Sequence, residues 1–156
     1  MQNNKITSER FRLKQVLVFA LLFMIVGSLL ELYLLDHYED TWQLIPILSV
    51  GTTLVTLLIL FLKKTKKLIN LFKAVLILTA LSGVYGVFLH LQSNFEFEQD
   101  MKPTATNFEL ITDSLSGALP TLAPMSLVVL ACIGYSYLIL IQQQQQQQQQ
   151  QHEKIQ

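Results

Sequence analysis

Two histidines, His37 and His90, each stand beside carboxylates at the edge of an apolar run. His37 lies in "LLELYLLDHYEDTWQLIP" (29–46), between Glu31 and Glu39, and His90 lies in "YGVFLHLQSNFEFEQDMKP" (85–103), ahead of Glu96 and Glu98. Imidazole nitrogens with carboxylate oxygens suit a divalent transition metal. His37, His90, Glu31, Glu39, Glu96 and Glu98 are therefore a candidate ligand set. Bis-histidine haem ligation between His37 and His90 is a second use of the same pair. The spacing adds no support, because HExxH, CxxC and paired ExxH patterns are absent. Nor does the chain carry a G-x-S-x-G, Walker or Rossmann pattern, so no nucleophile or phosphate cradle is indicated.

Glu31 sits more than a turn inside an apolar run, where a lone carboxylate costs about 3 kcal/mol unless paired, protonated or snorkelled. The residues after it have simpler roles. Asp40 followed by Gln43 fits a helix cap, with the acid also favoured by the positive end of the helix dipole. Tyr38 and Trp42 fit an aromatic belt, and Asp36 and Glu39 read as solvated loop residues. Around His90 two conformations compete. A continuing helix stacks His90, Asn94 and Glu98 on one face. An extended chain instead points Asn94, Glu96 and Glu98 one way and Phe95 and Phe97 the other.

These residues hang on four apolar blocks, Gln15–Leu35, Trp42–Leu62, Leu68–Leu91 and Thr121–Ile141. Each reaches the ~20 residues that cross a bilayer as a helix, and none shows the polar face of a soluble core helix. With 51% hydrophobic and 14% charged residues in one domain-sized chain, the composition reads as an integral membrane protein. The first block is longer than a signal-peptide core and lacks a small-residue cleavage site, so it counts as a span. The expected fold is all-α: an antiparallel up-down four-helix transmembrane bundle over 1–141, with a glutamine-rich cytoplasmic tail over 142–156.

The charges are segregated although they cancel overall. Lys5, Arg10, Arg12 and Lys14 precede the first block; Lys63, Lys64, Lys66, Lys67 and Lys73 surround the second connection; Lys154 lies in the tail. Basic residues stay on the cytoplasmic side, so both termini and "KKTKK" are expected inside. The connections 36–41 and 92–120 are then outside and acidic, with Lys102 their one basic residue. Lysines at the inner surface also attract anionic lipid. Nucleic-acid binding is not supported.

The third connection needs structure of its own. "TNFE" (106–109) matches a capping box, and Phe108, Ile111, Leu115 and Leu119 follow at helical spacing, predicting a short amphipathic helix on the outer membrane surface. Pro120 ends it, and Pro124 falls near the start of the fourth span. Ser49, Thr52, Thr53 and Thr56 form a contact stripe on the second span, and Ser82 with Gly86 fits small-xxx-small packing on the third. Cys132 reads as packing, and Lys73 as snorkelling. The tract Gln142–Gln151 is expected to be disordered or a frayed extension of the last helix, and His152 beside it receives no site role.

The segments "HYEDTWQLIP" (37–46), "HLQSNFEFEQDMKP" (90–103) and "SLSGALPTLAP" (114–124) resemble small uncharacterised four-helix inner-membrane proteins of bacteria. The resemblance covers about a quarter of the chain. It implies the four-span fold and an inner-membrane location, and carries over no catalytic residue. Three functions remain open. The leading one is a non-enzymatic accessory or interaction protein working through its acidic outer face, with another membrane protein as partner. A metal- or haem-binding protein for metal handling or electron transfer is the second. A lipid-directed enzyme using Glu31 and His90 as acid and base is the third.

Overall fold

The structure, a computed structural model, describes residues 2–153, with side chains over 8–150 and at 153. Lys154 lies outside the described residues, as do the side chains of Lys5 and His152. All regular structure among the described residues is helical: α1 (Gln2–Leu34), α2 (Thr41–Leu62), α3 (Lys66–Met101), α4 (Asn107–Leu115) and α5 (Met125–Glu153). Four of them, α1, α2, α3 and α5, are long and apolar enough to cross a membrane. α1 packs against α2 and α5, α3 packs against the same two, and α4 rests on α3. Leu21 and Ile25 from α1, Val50 and Leu57 from α2, Phe72 and Leu76 from α3, and Leu130 and Leu138 from α5 close one shared core.

The outward faces carry Phe19, Phe23, Leu48, Leu78 and Phe88, all largely exposed. A helix bathed in water would place charges there. So many bulky apolar groups on the outside accord with helices long and apolar enough to cross a membrane. Cys132, expected to pack, is also exposed on α5, since the helix turns Leu130, Ala131 and Gly134 inward instead.

Helix ends follow local chemistry. α1 stops in a Schellman motif: His37 N–H donates to Leu32 O at 2.9 Å and Asp36 N–H to Tyr33 O at 3.2 Å. Asp36 takes the left-handed conformation this requires, with φ 52°. Aspartate tolerates that region better than most residues, so Asp36 is a helix terminator and not merely a solvated loop residue. α2 begins with the expected cap: Asp40 accepts from the Trp42 amide and its own amide donates to Gln43 Oε1 at 3.2 Å.

α3 continues through Met101, which decides the conformation after His90 in favour of helix. No proline or glycine intervenes between Gly86 and Pro103. Gln92 donates to Glu96 at 2.8 Å and Lys102 pairs with Glu98 at 2.9 Å, both one turn apart on the helix surface. At 36 residues, α3 is about 54 Å long, well beyond a hydrocarbon layer of roughly 30 Å. α5 starts at Met125 and not at Thr121, because 121–124 form a turn between Pro120 and Pro124. It then runs unbroken through the glutamine tract to Glu153, as the extension alternative anticipated.

Close approach between α3 and α5 depends on glycine. A Cβ on Gly83 would lie 2.7 Å from Pro124 O, and one on Gly86 would lie 2.8 Å from Pro124 Cβ. The small-residue pair is thus Gly83 with Gly86. Ser82 instead carries a buried hydroxyl without a partner. Between α2 and α3, Thr53 and Thr79 hydroxyls bond at 3.0 Å. Thr53 and Thr56 are buried, as the stripe implied, while Thr52 is exposed and bonds back to Leu48 O of its own helix.

Tyr137 is fully buried edge-on to Phe61, and its hydroxyl also lacks a partner. Tyr137→Phe removes that desolvated group while keeping the ring. The expected result is unchanged or higher stability, by up to about 1 kcal/mol, in a denaturant titration of the detergent-solubilised protein.

Candidate functional site at the acidic end

The turn after α1 and the second half of α3 meet at one end of the molecule. His37 and His90 come together there, with ring centroids 6.2 Å apart and planes tilted by 53°. His90 Nδ1 lies 3.1 Å from Pro120 O, and His37 Nδ1 lies 3.5 Å from Leu35 O. A carbonyl only accepts, so Nδ1 of His90 is the donor in this contact. Tyr33 stacks on Tyr38 in the same turn region, and Trp42 and Phe88 flank Tyr85.

The carboxylates do not close around the two rings. Glu31 is exposed on α1, and Glu39 is exposed in the turn, its backbone amide donating to Gln43 at 3.1 Å. Glu96 accepts from Gln92, and Glu98 is engaged by Lys102. Among the described residues no group of three or more His, Cys, Asp or Glu is placed to hold a metal ion.

The predicted stripe has a different use. His90, Asn94 and Glu98 do share one face of α3, and that face grips the segment 102–121. Asn94 is 2% exposed and is the centre of the contact. Its Nδ2 donates to Ser114 O at 2.9 Å, Leu119 O at 2.8 Å and Thr121 Oγ1 at 3.1 Å. Its Oδ1 accepts from the Leu119 amide at 3.0 Å. Above it, Lys102 bridges Glu98 at 2.9 Å and Asp113 of α4 at 2.8 Å. Below it, His90 meets Pro120 O. Gly117 fits because a Cβ there would stand 2.5 Å from Asn94 Cγ. A loop that buries backbone polar groups must satisfy them, and one asparagine supplies both donors and acceptor.

The α4 helix exists where "TNFE" predicts it. Glu109 accepts from the Thr106 amide at 2.8 Å, and the Thr106 side chain receives the Glu109 amide. The buried face is Leu110 and Ser114, however, while Phe108, Ile111 and Leu115 point outward and are exposed. Leu119 lies past the helix end, held by Asn94. Sequence reasoning placed Asn94 in the stripe but missed it as the anchor. The available signal was an uncharged amide between a histidine and a glutamate, facing a loop that contains Gly117.

Comparison with protein-family models, with curated proteins and with solved structures finds no match. The chemistry of this end therefore rests on its own geometry.

Two titrations follow. Hydrogen bonds from Thr106, backbone first and side chain second, hold the Glu109 carboxyl below its ordinary value. A lowered folded value means the cap contributes above the ordinary carboxylate range and is lost as pH falls through the folded value. Amide exchange in α4 should stay slow from neutral pH down through the ordinary carboxylate range and accelerate only below it, with Glu109→Gln abolishing that acid step. Lys102 moves the other way, raised by Asp113 first and Glu98 second. The stabilisation from its raised value is fully present at neutral pH and is lost as pH rises through that value.

Proposed function

We propose that the chain is a multi-pass inner-membrane protein of bacteria, an up-down four-helix bundle with both termini in the cytoplasm, that works without catalysis as an accessory subunit. Its working surface is the rigid acidic cap built from the end of α3, α4 and the turn 116–124. The observation that supports this most is the Asn94 clasp, which turns a long connection into a fixed surface. Around it Asp36, Glu39, Glu96, Asp100 and Glu109 are exposed, while Lys102 is already engaged by two carboxylates. A surface of one sign held in fixed geometry selects a basic partner and steers it electrostatically. The exposed row Phe108, Ile111 and Leu115 suits seating the cap on the membrane interface.

The test is site-specific photo-crosslinking in native membranes. A crosslinker at Glu96 or Asp100 should give a discrete partner band that weakens when Glu39 is also replaced by lysine. The same probe at Val129, on an exposed flank of α5, should give none. Equal labelling from all three positions would refute a partner-binding cap.

A second reading rests on the histidine pair, brought together from separate elements with each Nδ1 turned to a backbone carbonyl. Such a bond to the far nitrogen is how proteins orient a histidine toward a divalent metal. In this reading the two Nε2 atoms alone serve metal handling or, with haem, electron transfer, since the carboxylates do not close around the rings. Elemental analysis of the purified protein beside a His37→Ala, His90→Ala double variant decides it. Stoichiometric iron, zinc, copper or manganese lost in the variant supports the pair as a site, and no metal in either excludes it.

A further inference from the structure

The spacing of the two histidine rings limits which ion they can hold. A metal bonded in the plane of an imidazole lies about 2.0 Å from the nitrogen and about 3.15 Å from the ring centre. Two rings at a tetrahedral angle around one ion then have centres about 5.1 Å apart, and two rings in a straight line about 6.3 Å. The centres of His37 and His90 are 6.2 Å apart. The 53° tilt between the planes does not disturb a straight arrangement, because each ring turns freely about the nitrogen–metal axis.

The neighbouring side chains point the same way. Zinc takes four ligands, and calcium and magnesium take more, mostly oxygen. Among the described residues no third histidine, cysteine or carboxylate joins the pair. Glu96 and Glu98 are engaged by Gln92 and Lys102, and Glu31 and Glu39 are exposed. Both rings are half-buried, and two neutral imidazoles bring no negative charge. Two nitrogens in line and one charge to hold match a soft, closed-shell monovalent cation better than a divalent one.

We propose that His37 and His90 bind one copper(I) ion in a near-linear, two-coordinate site. Each ring ligates through Nε2, with Nδ1 held by Leu35 O at 3.5 Å and by Pro120 O at 3.1 Å. This rests on the metal reading of the pair and replaces its divalent ion with a monovalent one. The bound ion ties the turn after α1 to α3, one helical turn from Asn94. Copper(II) needs further ligands in its plane, and haem needs a flat slot between α3 and the turn; each is an outcome of the test.

That test is native mass spectrometry of the full chain in detergent, with Cys132→Ser throughout so that the one thiol does not take the ion. Silver(I) and, without oxygen, copper(I) are added against zinc(II), copper(II) and haem. One silver or copper(I) ion per chain should be retained. His37→Ala should weaken it by more than about 100-fold, beyond the roughly 10–100-fold that follows loss of an outer-shell partner. His37→Met restores a soft donor and should recover most of the binding. His152→Ala, at the third histidine of the chain, should leave it unchanged. Preference for zinc(II), copper(II) or haem, lost in His37→Ala, overturns the copper(I) assignment while the metal reading stands. Retention of no ion overturns both. Silver retained equally by His37→Ala is an adventitious ion only and overturns the proposal.

Discussion

Replacing Asn94 with alanine is expected to free the segment 102–121 from α3 at a cost of about 2–4 kcal/mol. The side chain is buried and bonds to Ser114 O, Leu119 O, Thr121 Oγ1 and the Leu119 amide. Alanine leaves the Leu119 amide and carbonyl without partners and opens a void the width of the amide group. Ser114 O loses less, because Thr121 Oγ1 still donates to it at 3.1 Å. Asn94→Asp should not rescue. It keeps the shape but has no donors, and it sets a carboxylate among three oxygens. Gly117→Ala provides a second route to the same loss, since its Cβ would meet Asn94 Cγ at 2.5 Å. Chemical unfolding of the detergent-solubilised variants reads all three, and a change under 0.5 kcal/mol for Asn94→Ala would show that the clasp is not stabilising.

The second large effect is at Gly83. Gly83→Ala should destabilise by about 1–3 kcal/mol, because the added Cβ lies 2.7 Å from Pro124 O and 3.0 Å from Leu127 Cβ. A backbone carbonyl cannot rotate away as a side-chain tip can, so α3 and α5 must separate. Gly51→Ala is the matched control: nothing lies within 4 Å of its Cβ position. There the better helix propensity of alanine should leave stability unchanged or raise it by up to ~1 kcal/mol. The same unfolding titration separates the two, and similar effects at both glycines would contradict close approach at Gly83.

What could be read from the sequence was whatever depends on near neighbours. The caps Asp40–Gln43 and Thr106–Glu109 are four-residue patterns and formed as written. The four apolar blocks likewise mark the four long helices, since each block carries its own hydrophobicity. Features that depend on distant partners were not legible. The stripe His90, Asn94 and Glu98 is visible as periodicity, yet its partner is a loop 20 to 30 residues later. Gly83 could not be preferred to Ser82 without knowing where Pro124 crosses. Cys132 was read as packing because its neighbours are apolar, but the direction it faces depends on helix rotation.

Local and distant features meet at the acidic end. Helical continuation of α3 puts the stripe on one face, the stripe folds the connection into a cap, and the cap fixes where the exposed carboxylates stand. A connection without the clasp would hold the same charges in no fixed geometry. His90 belongs to both arrangements, tying Pro120 by Nδ1 while its ring lies 6.2 Å from that of His37.

The most direct measurement is hydrogen–deuterium exchange across 102–121 with the full chain in lipid nanodiscs. Protection of α4 and of the Leu119 amide, lost together in Asn94→Ala while α2 stays protected, is the predicted result. Rapid exchange throughout 102–121 in the unaltered protein would show that the connection is a mobile loop, and would contradict the clasped acidic cap.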